Sequence, residues 1–110
     1  MAQSYLIFDF GTNEETAQQG RHRIEGWKQA FRLGKKMQLK FERQEPEKKN
    51  GPERIRLIVR LDFSDHERLS YHRWLERIPG EAPFKDASPQ IIRHGEAEFA
   101  KAAELFDSLT

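Results

Sequence analysis

The residues of this chain that could do chemistry include four histidines, at positions 22, 66, 72 and 94, and none of them belongs to a catalytic pattern. His66 and His72 lack the i, i+4 spacing with which two histidines on one helix bind a metal ion. Ser64 and Ser88 are expected to cap helices, and no serine has the glycine flanks of a nucleophile. Because cysteine is absent, thiol catalysis and thiolate metal sites are excluded. The sequence therefore predicts no catalytic residue, metal ligand or cofactor.

One motif near the start of the chain has the residues of a phosphate-binding turn. Residues 6–13 read LIFDFGTN, an apolar strand followed by Asp-x-Gly-Thr. The motif resembles the first phosphate-binding turn of the actin and heat-shock-ATPase superfamily, which implies that Asp9 organises a metal site and that Gly11 and Thr12 contact phosphate. The resemblance covers about eight residues, without that family's further phosphate motifs. Thr12 and Glu15 also form a capping-box pattern, so we expect Thr12 to be a helix N-cap.

Positive charge is concentrated in one segment of the chain. Residues 21–43 contain eight Lys or Arg against two Glu, a local charge of +6 in a chain whose net charge is +1. Such a segment either faces an anionic partner such as nucleic acid or is a solvated helix face. The candidate nucleic-acid contacts are Arg21, Arg23, Lys28, Arg32, Lys35, Lys36 and Lys40.

Length and composition limit the class of protein. A chain of 110 residues with 34% charged residues suits one soluble domain that is long enough to bury a core. Its longest apolar runs are far shorter than the roughly 20 residues of a membrane-spanning helix. The first residues also lack the pattern of a secretory signal. We therefore expect a cytoplasmic protein with no membrane partner.

Periodicity predicts an α+β protein. Apolar residues at nearly every position predict a strand at 4–10, and alternation of apolar and polar residues predicts strands at 37–43 and 53–63, the last of which we expect to be central. Helical periodicity and capping residues predict helices from Thr12 to about Leu33, from Ser64 to Ile78 and from Glu96 to Leu109. The inward stripe of the first helix is Ala17, Gly20, Ile24, Trp27 and Phe31. The polar residues from about 44 to 54 are expected to form a flexible hairpin loop.

Residues 90–94 leave two topologies open. The sequence QIIRH is either a short edge strand or the first turns of the last helix, and we favour a strand because Gly95 weakens a continuous helix. With this strand the order is βαββαβ plus a C-terminal helix, which is ferredoxin-like. Without it the order is βαββα. Both are two-layer sandwiches with an antiparallel sheet that carries helices on one face.

The sheet face turned away from those helices is the most informative surface. By alternation it presents Tyr5, Ile7, Arg56, Ile58 and Arg60. The topology resembles the RNA-recognition-motif fold, where aromatic residues on the two central strands stack bases, but here the central strand supplies no aromatic residue to this face. Two isoleucines surrounded by arginines are also typical of a self-association surface. The third possibility is a solvated sheet.

These observations favour a non-catalytic interaction domain that forms a homodimer through the outer sheet face or the final helix. The interface candidates are Tyr5, Ile7, Arg56, Ile58 and Arg60. Nucleic-acid binding through the basic segment is the first alternative. A small enzyme, whose site only folding brings together, is the second.

Overall fold

The computed structural model describes residues 2–44 and 54–109, which form four strands and three α-helices. In chain order these are β1 (Ala2–Asp9), α1 (Glu14–Ala30), β2 (Met37–Gln44), β3 (Arg54–Phe63), α2 (Arg68–Gly80), β4 (Gln90–Arg93) and α3 (Phe99–Ser108). The strands form one antiparallel sheet in the order β2-β3-β1-β4. The predicted α+β class is confirmed, and QIIR is a strand. The loop predicted at 44–54 lies, apart from its two end residues, outside the described residues.

The two central strands, β1 and β3, are buried on both faces. In β1 the consecutive residues Tyr5, Leu6, Ile7 and Phe8 are each at most 8% exposed. Successive side chains of a strand point to opposite faces, so a strand with an unbroken apolar run needs cover on both sides. This explains why β1 shows so little alternation between apolar and polar residues.

Helices α1 and α2 cover the inner face of the sheet, as the sequence predicts. They pack against each other through Trp27 and Trp74, whose ring centroids are 5.4 Å apart. Gly20 of α1 faces Phe10 and Phe84, and a Cβ at this position would lie only 3.1 Å from both rings, so a larger residue would need these rings to shift. Phe84 is fully buried in the same core.

Helix α3 lies on the opposite face and makes a third layer, which differs from the predicted two-layer sandwich. Its Ala102 and Phe106 are buried against Tyr5, Ile7 and Ile58 in a second apolar cluster, separate from the main core. The physical reason is the apolar content of this face. An exposed patch of this kind loses hydrophobic free energy, and an amphipathic helix from the same chain recovers it.

The helix ends depart from the sequence prediction by a few residues. Helix α1 is capped by Asn13 instead of Thr12, with Asn13 Oδ1 accepting a hydrogen bond of 3.0 Å from the Thr16 N–H. It ends at Ala30, earlier than the predicted Leu33. The capping box at Ser64 is present. The backbone N–H of Ser64 donates a hydrogen bond of 3.2 Å to the Glu67 carboxylate, and the Ser64 hydroxyl donates another of 2.9 Å.

We expect Leu57→Ala to lower the free energy of unfolding by about 2–5 kcal/mol, because Leu57 is fully buried at the centre of β3 and its removal leaves a cavity. Ser64→Ala, which only strips a helix cap, should lower it by about 1 kcal/mol. Urea denaturation of both variants measures the difference. If both variants lost an equally small free energy of unfolding, β3 would not be the central strand of the core.

Candidate functional site

The outer sheet face, where the sequence predicts self-association, is covered by α3. The ring of Tyr5 lies 5.3 Å from that of Phe99 and 5.7 Å from that of Phe106, measured between centroids. Ile7 and Ile58, the predicted centre of the interface, are buried beneath the same helix. A partner can contact these side chains only if α3 moves away.

Two cations hold Phe106 of α3 against the sheet. Lys40 Nζ lies 4.4 Å from the centroid of the Phe106 ring and donates a hydrogen bond of 2.8 Å to the Phe106 carbonyl oxygen. The guanidinium carbon of Arg60 lies 4.8 Å from the same centroid, and its terminal nitrogen donates to Gln38 Oε1. Burial raises the pKa of the neighbouring Tyr5 hydroxyl, and Arg60 opposes that shift. Lys40, a predicted nucleic-acid contact, and Arg60, a predicted interface residue, are thus both used within the protein.

The remaining interface candidate, Arg56, is also paired within the sheet. Its Nε donates to Glu42 Oε1 at 2.6 Å across the β2–β3 pair, where the two residues are directly opposite. Such a cross-strand ion pair stabilises the sheet by a fraction of a kcal/mol, on the order of 0.2–1. The charged rim expected for a dimer interface therefore forms contacts inside one chain.

The basic segment does not form one continuous surface. Arg21 NH1 pairs with Glu25 at 3.1 Å on α1, and Arg23 NH2 pairs with Glu81 at 2.8 Å at the end of α2. Lys40 faces the outer layer, as described above. The part of the segment that stays together is the end of α1 and the turn after it, which contain Lys28, Arg32, Lys35 and Lys36.

This end of α1 forms a recess with α2, which we call the α1–α2 recess. Its volume is about 230 Å³. It is lined by Phe31, Arg32, Leu33, Lys36, Phe63, Glu67, Ser70, Arg73, Trp74 and Arg77. These side chains include four cations and one carboxylate, so the lining carries a charge of +3. A recess with this charge is suited to an anion.

The carboxylate of the recess, Glu67, is fully engaged by its neighbours. Lys36 Nζ donates to its Oε2, while Ser64 donates to Oε1 through its hydroxyl and its backbone N–H. These hydrogen bonds lower the pKa of Glu67 to about 2. The bond from Lys36 has the largest effect, and the bonds from Ser64 follow. Glu67 therefore neutralises Lys36 and leaves the arginines of the recess to other partners.

Arg32 and Arg73 are the two cations of the recess that no carboxylate neutralises within residues 2–44 and 54–109. Both side chains are exposed; Arg32 lies in the turn that follows α1, and Arg73 lies on α2. Arg32 has a φ of 52°, in the left-handed region that usually holds glycine at a helix end. This conformation costs about 1–2 kcal/mol for a residue with a side chain. The chain thus has arginine where glycine is the ordinary residue.

Phe31 and Trp74, which line the recess, belong to an aromatic cluster with Trp27 and Arg77. The guanidinium carbon of Arg77 lies 5.3 Å from the ring centroids of Trp27 and Trp74 and 5.9 Å from that of Phe31. Phe31 meets Trp74 edge to face, at a centroid distance of 5.3 Å and an interplanar angle of 82°. The tryptophans are buried, but Phe31 is 54% exposed. Because α1 ends at Ala30, Phe31 leaves the inward stripe in which the sequence places it.

The turn that resembles a phosphate site has a structural role. Asp9 Oδ1 accepts a hydrogen bond of 2.8 Å from the Gly11 N–H, and Asp9 Oδ2 pairs with Arg54 at 2.8 Å. The described residues that line the adjacent recess include two carboxylates, Asp9 and Asp86, and no cation. This charge is unfavourable for phosphate.

The four histidines are exposed. Across the described residues, no three His, Asp or Glu side chains are placed to hold a metal ion together. None of the helices found in residues 2–44 and 54–109 combines the length and the apolar composition needed to cross a membrane. Comparison with protein-family models, curated proteins and solved structures finds no match for this chain.

Sequence reasoning missed the α2 half of the recess. Arg73 and Arg77 are recognisable in the sequence only as residues on the outward face of a helix, which is where most arginines occur. Their role depends on the end of α1, and that contact joins distant parts of the chain. The one local signal was an aromatic residue followed by arginine just before Gly34.

We expect Glu67 to contribute to the pH dependence of stability. Its pKa of about 2 in the folded protein lies below the unfolded value of about 4.3, so its contribution is present above that value and is lost as pH falls towards 2. Glu67→Gln should be less stable than wild type at pH 6, and the difference should shrink between about pH 4.5 and 2. Urea denaturation across this range measures it.

Lys36→Met removes the largest cause of the shift, so it should reduce the same pH-dependent difference. If the stability of Glu67→Gln changed with pH between about 4.5 and 2 as much as that of wild type, Glu67 would not be the group that causes this pH dependence.

Proposed function

We propose that this protein is a non-catalytic binding domain for nucleic acid, which it contacts through the α1–α2 recess. The observation that carries the proposal is the pair Arg32 and Arg73, two exposed arginines, one from the turn after α1 and one from α2, that line one recess and that no described carboxylate neutralises. A guanidinium group presents a planar set of N–H donors that matches two phosphate oxygens. Two such groups at one recess are suited to phosphodiester oxygens.

The charge around the recess extends along the chain. In the sequence, Lys28 in the last turn of α1 precedes Arg32 and Lys35 follows it in the turn after the helix, both outside the lining of the recess itself. A polyanion can contact such a row of cations at successive phosphates and releases counterions as it binds. A small anion would use the recess alone. The row therefore favours a nucleic acid, and an acidic peptide is the competing partner that binding experiments must separate.

Self-association through the outer sheet face is the second candidate. It is favoured by the cluster of Tyr5, Ile7 and Ile58, an apolar patch that is continuous once α3 is removed. Detachment of α3 would expose this patch to a second copy of the chain. The candidate thus requires α3 to leave the sheet first.

We also propose that the fold is the ferredoxin-like class with α3 as an addition. The proposal is supported by the βαββαβ order of the first six elements and by the central positions of β1 and β3 in the sheet.

We expect wild type to bind oligonucleotides with an affinity that falls steeply with salt. Arg73→Ala should weaken binding and reduce the slope of log K against log salt by about 1, because one phosphate contact is lost. Arg32→Ala should do the same. Fluorescence anisotropy between 50 and 200 mM salt, a range in which phosphate contacts change strongly, is the measurement.

The matched control is Lys101→Ala, which removes one exposed positive charge from α3 on the opposite face. It should leave the slope unchanged. Equal effects of Lys101→Ala and Arg73→Ala would mean that net charge alone matters, and would contradict the recess as the site.

For the second candidate, Phe106→Ala should detach α3, because the variant loses the aromatic contact with Tyr5 and the two cation–π contacts. If the outer face self-associates, sedimentation velocity should show a concentration-dependent dimer for this variant. Phe106→Leu, which keeps an apolar side chain in place, is the control. A Phe106→Ala protein that loses helical circular dichroism yet stays monomeric would contradict the candidate.

A further inference from the structure

Phe31 is unusual in this protein because a large aromatic side chain lies in water. Within the described residues, Phe31 and Leu69 are the exposed large apolar side chains, at 54% and 82%. Leaving a phenylalanine half exposed forfeits hydrophobic free energy that its burial would provide. Phe31 differs from Leu69 in its surroundings, since it lines a recess together with Arg32 and Arg73.

The ring of Phe31 is held in place although it is exposed. One side contacts the edge-to-face ring of Trp74, at 5.3 Å, and Trp74 is in turn packed on Trp27 at 5.4 Å. Arg77 lies against all three rings and forms a 3.0 Å ion pair with Glu81. A flat surface that is already rigid loses little conformational entropy when a second ring stacks on it.

These properties match what an unpaired base requires. A base stacked on an aromatic side chain gains free energy without any sequence-specific hydrogen bond. The phosphates that flank such a base need cations beside the ring, and Arg32 and Arg73 lie there. In a duplex, both faces of each internal base are covered by neighbouring base pairs, so an internal base cannot reach Phe31.

We infer that Phe31 is a stacking platform for one unpaired base and that the α1–α2 recess therefore selects single-stranded over double-stranded nucleic acid. The inference rests on the proposed phosphate binding by the same recess and adds a contact with the base of the nucleic acid. An acidic peptide could pair with the arginines but would gain nothing from the exposed ring.

The test compares four probes on the full chain: an oligothymidine strand, a strand of equal length with abasic sugars, a duplex of equal length, and polyglutamate. Wild type should bind oligothymidine more tightly than the other three. Phe31→Ala should weaken binding to oligothymidine by about 5- to 150-fold, which corresponds to the loss of one stacked base. It should leave binding to the abasic strand unchanged.

Phe31→Leu and Phe31→Trp are matched variants. Leucine is apolar but has no aromatic ring, and tryptophan has a larger aromatic ring than phenylalanine. Leucine should behave as alanine does, and tryptophan should retain binding. The two tryptophans of the chain, Trp27 and Trp74, both belong to the stack beneath Phe31, so a stacked base should also change their intrinsic fluorescence. Urea denaturation of each variant confirms that it is folded.

The possible failures are distinguishable. Equal binding of the abasic and normal strands by wild type, with no effect of Phe31→Ala, would overturn base stacking and leave phosphate binding intact. Equal or tighter binding of the duplex would overturn the selection of single strands. Equal binding of polyglutamate, or no binding of any strand at low salt, would overturn the proposed function and this inference together.

Discussion

The pairing of β1 with β3 is the constraint on which the rest of this structure depends. In this register Leu6 lies opposite Val59 on one face, and Ile7 lies opposite Ile58 on the other. Since side chains alternate between faces, a slip of one residue would exchange the two sets. Both sets are apolar, so either face exposes an apolar surface unless a helix covers it. The pair therefore creates two apolar faces that need cover, and the helices provide it: α1 and α2 on one side, α3 on the other.

Most of the secondary structure was accessible from the sequence because each element has its own local pattern. Alternation in residues 37–43 and 53–63 identifies β2 and β3, and Ser64 with Glu67 marks the turn into α2. The position of α3 was not accessible. Its amphipathic pattern predicts a helix that packs on something, but it carries no information about which face of the sheet receives it. The two isoleucines on the outer face indicated a contact surface, and the structure supplies the contact from the same chain.

The candidate site could be predicted only in part, for a reason of geometry. A run of cations in sequence resembles one patch, yet α1, a turn and β2 carry its members in different directions. Arg21 and Arg23 find carboxylates, Lys40 turns to the outer layer, and Arg32 meets an arginine that α2 contributes. Periodicity also placed Phe31 inside. Because α1 ends about one turn earlier than expected, Phe31 lies outside the helix and is the exposed ring of the recess.

The order of the elements has a consequence for synthesis on the ribosome. All four strands precede α3 in the chain, so the sheet can pair before its outer cover has been made. At roughly 5–20 residues per second, the stretch between β3 and Phe106 takes on the order of seconds to translate. If β1 and β3 pair during that time, Ile7 and Ile58 form an uncovered apolar strip on the nascent chain, the kind of surface that chaperones bind and that causes aggregation. The helix that completes the fold is therefore also the segment that ends this exposure.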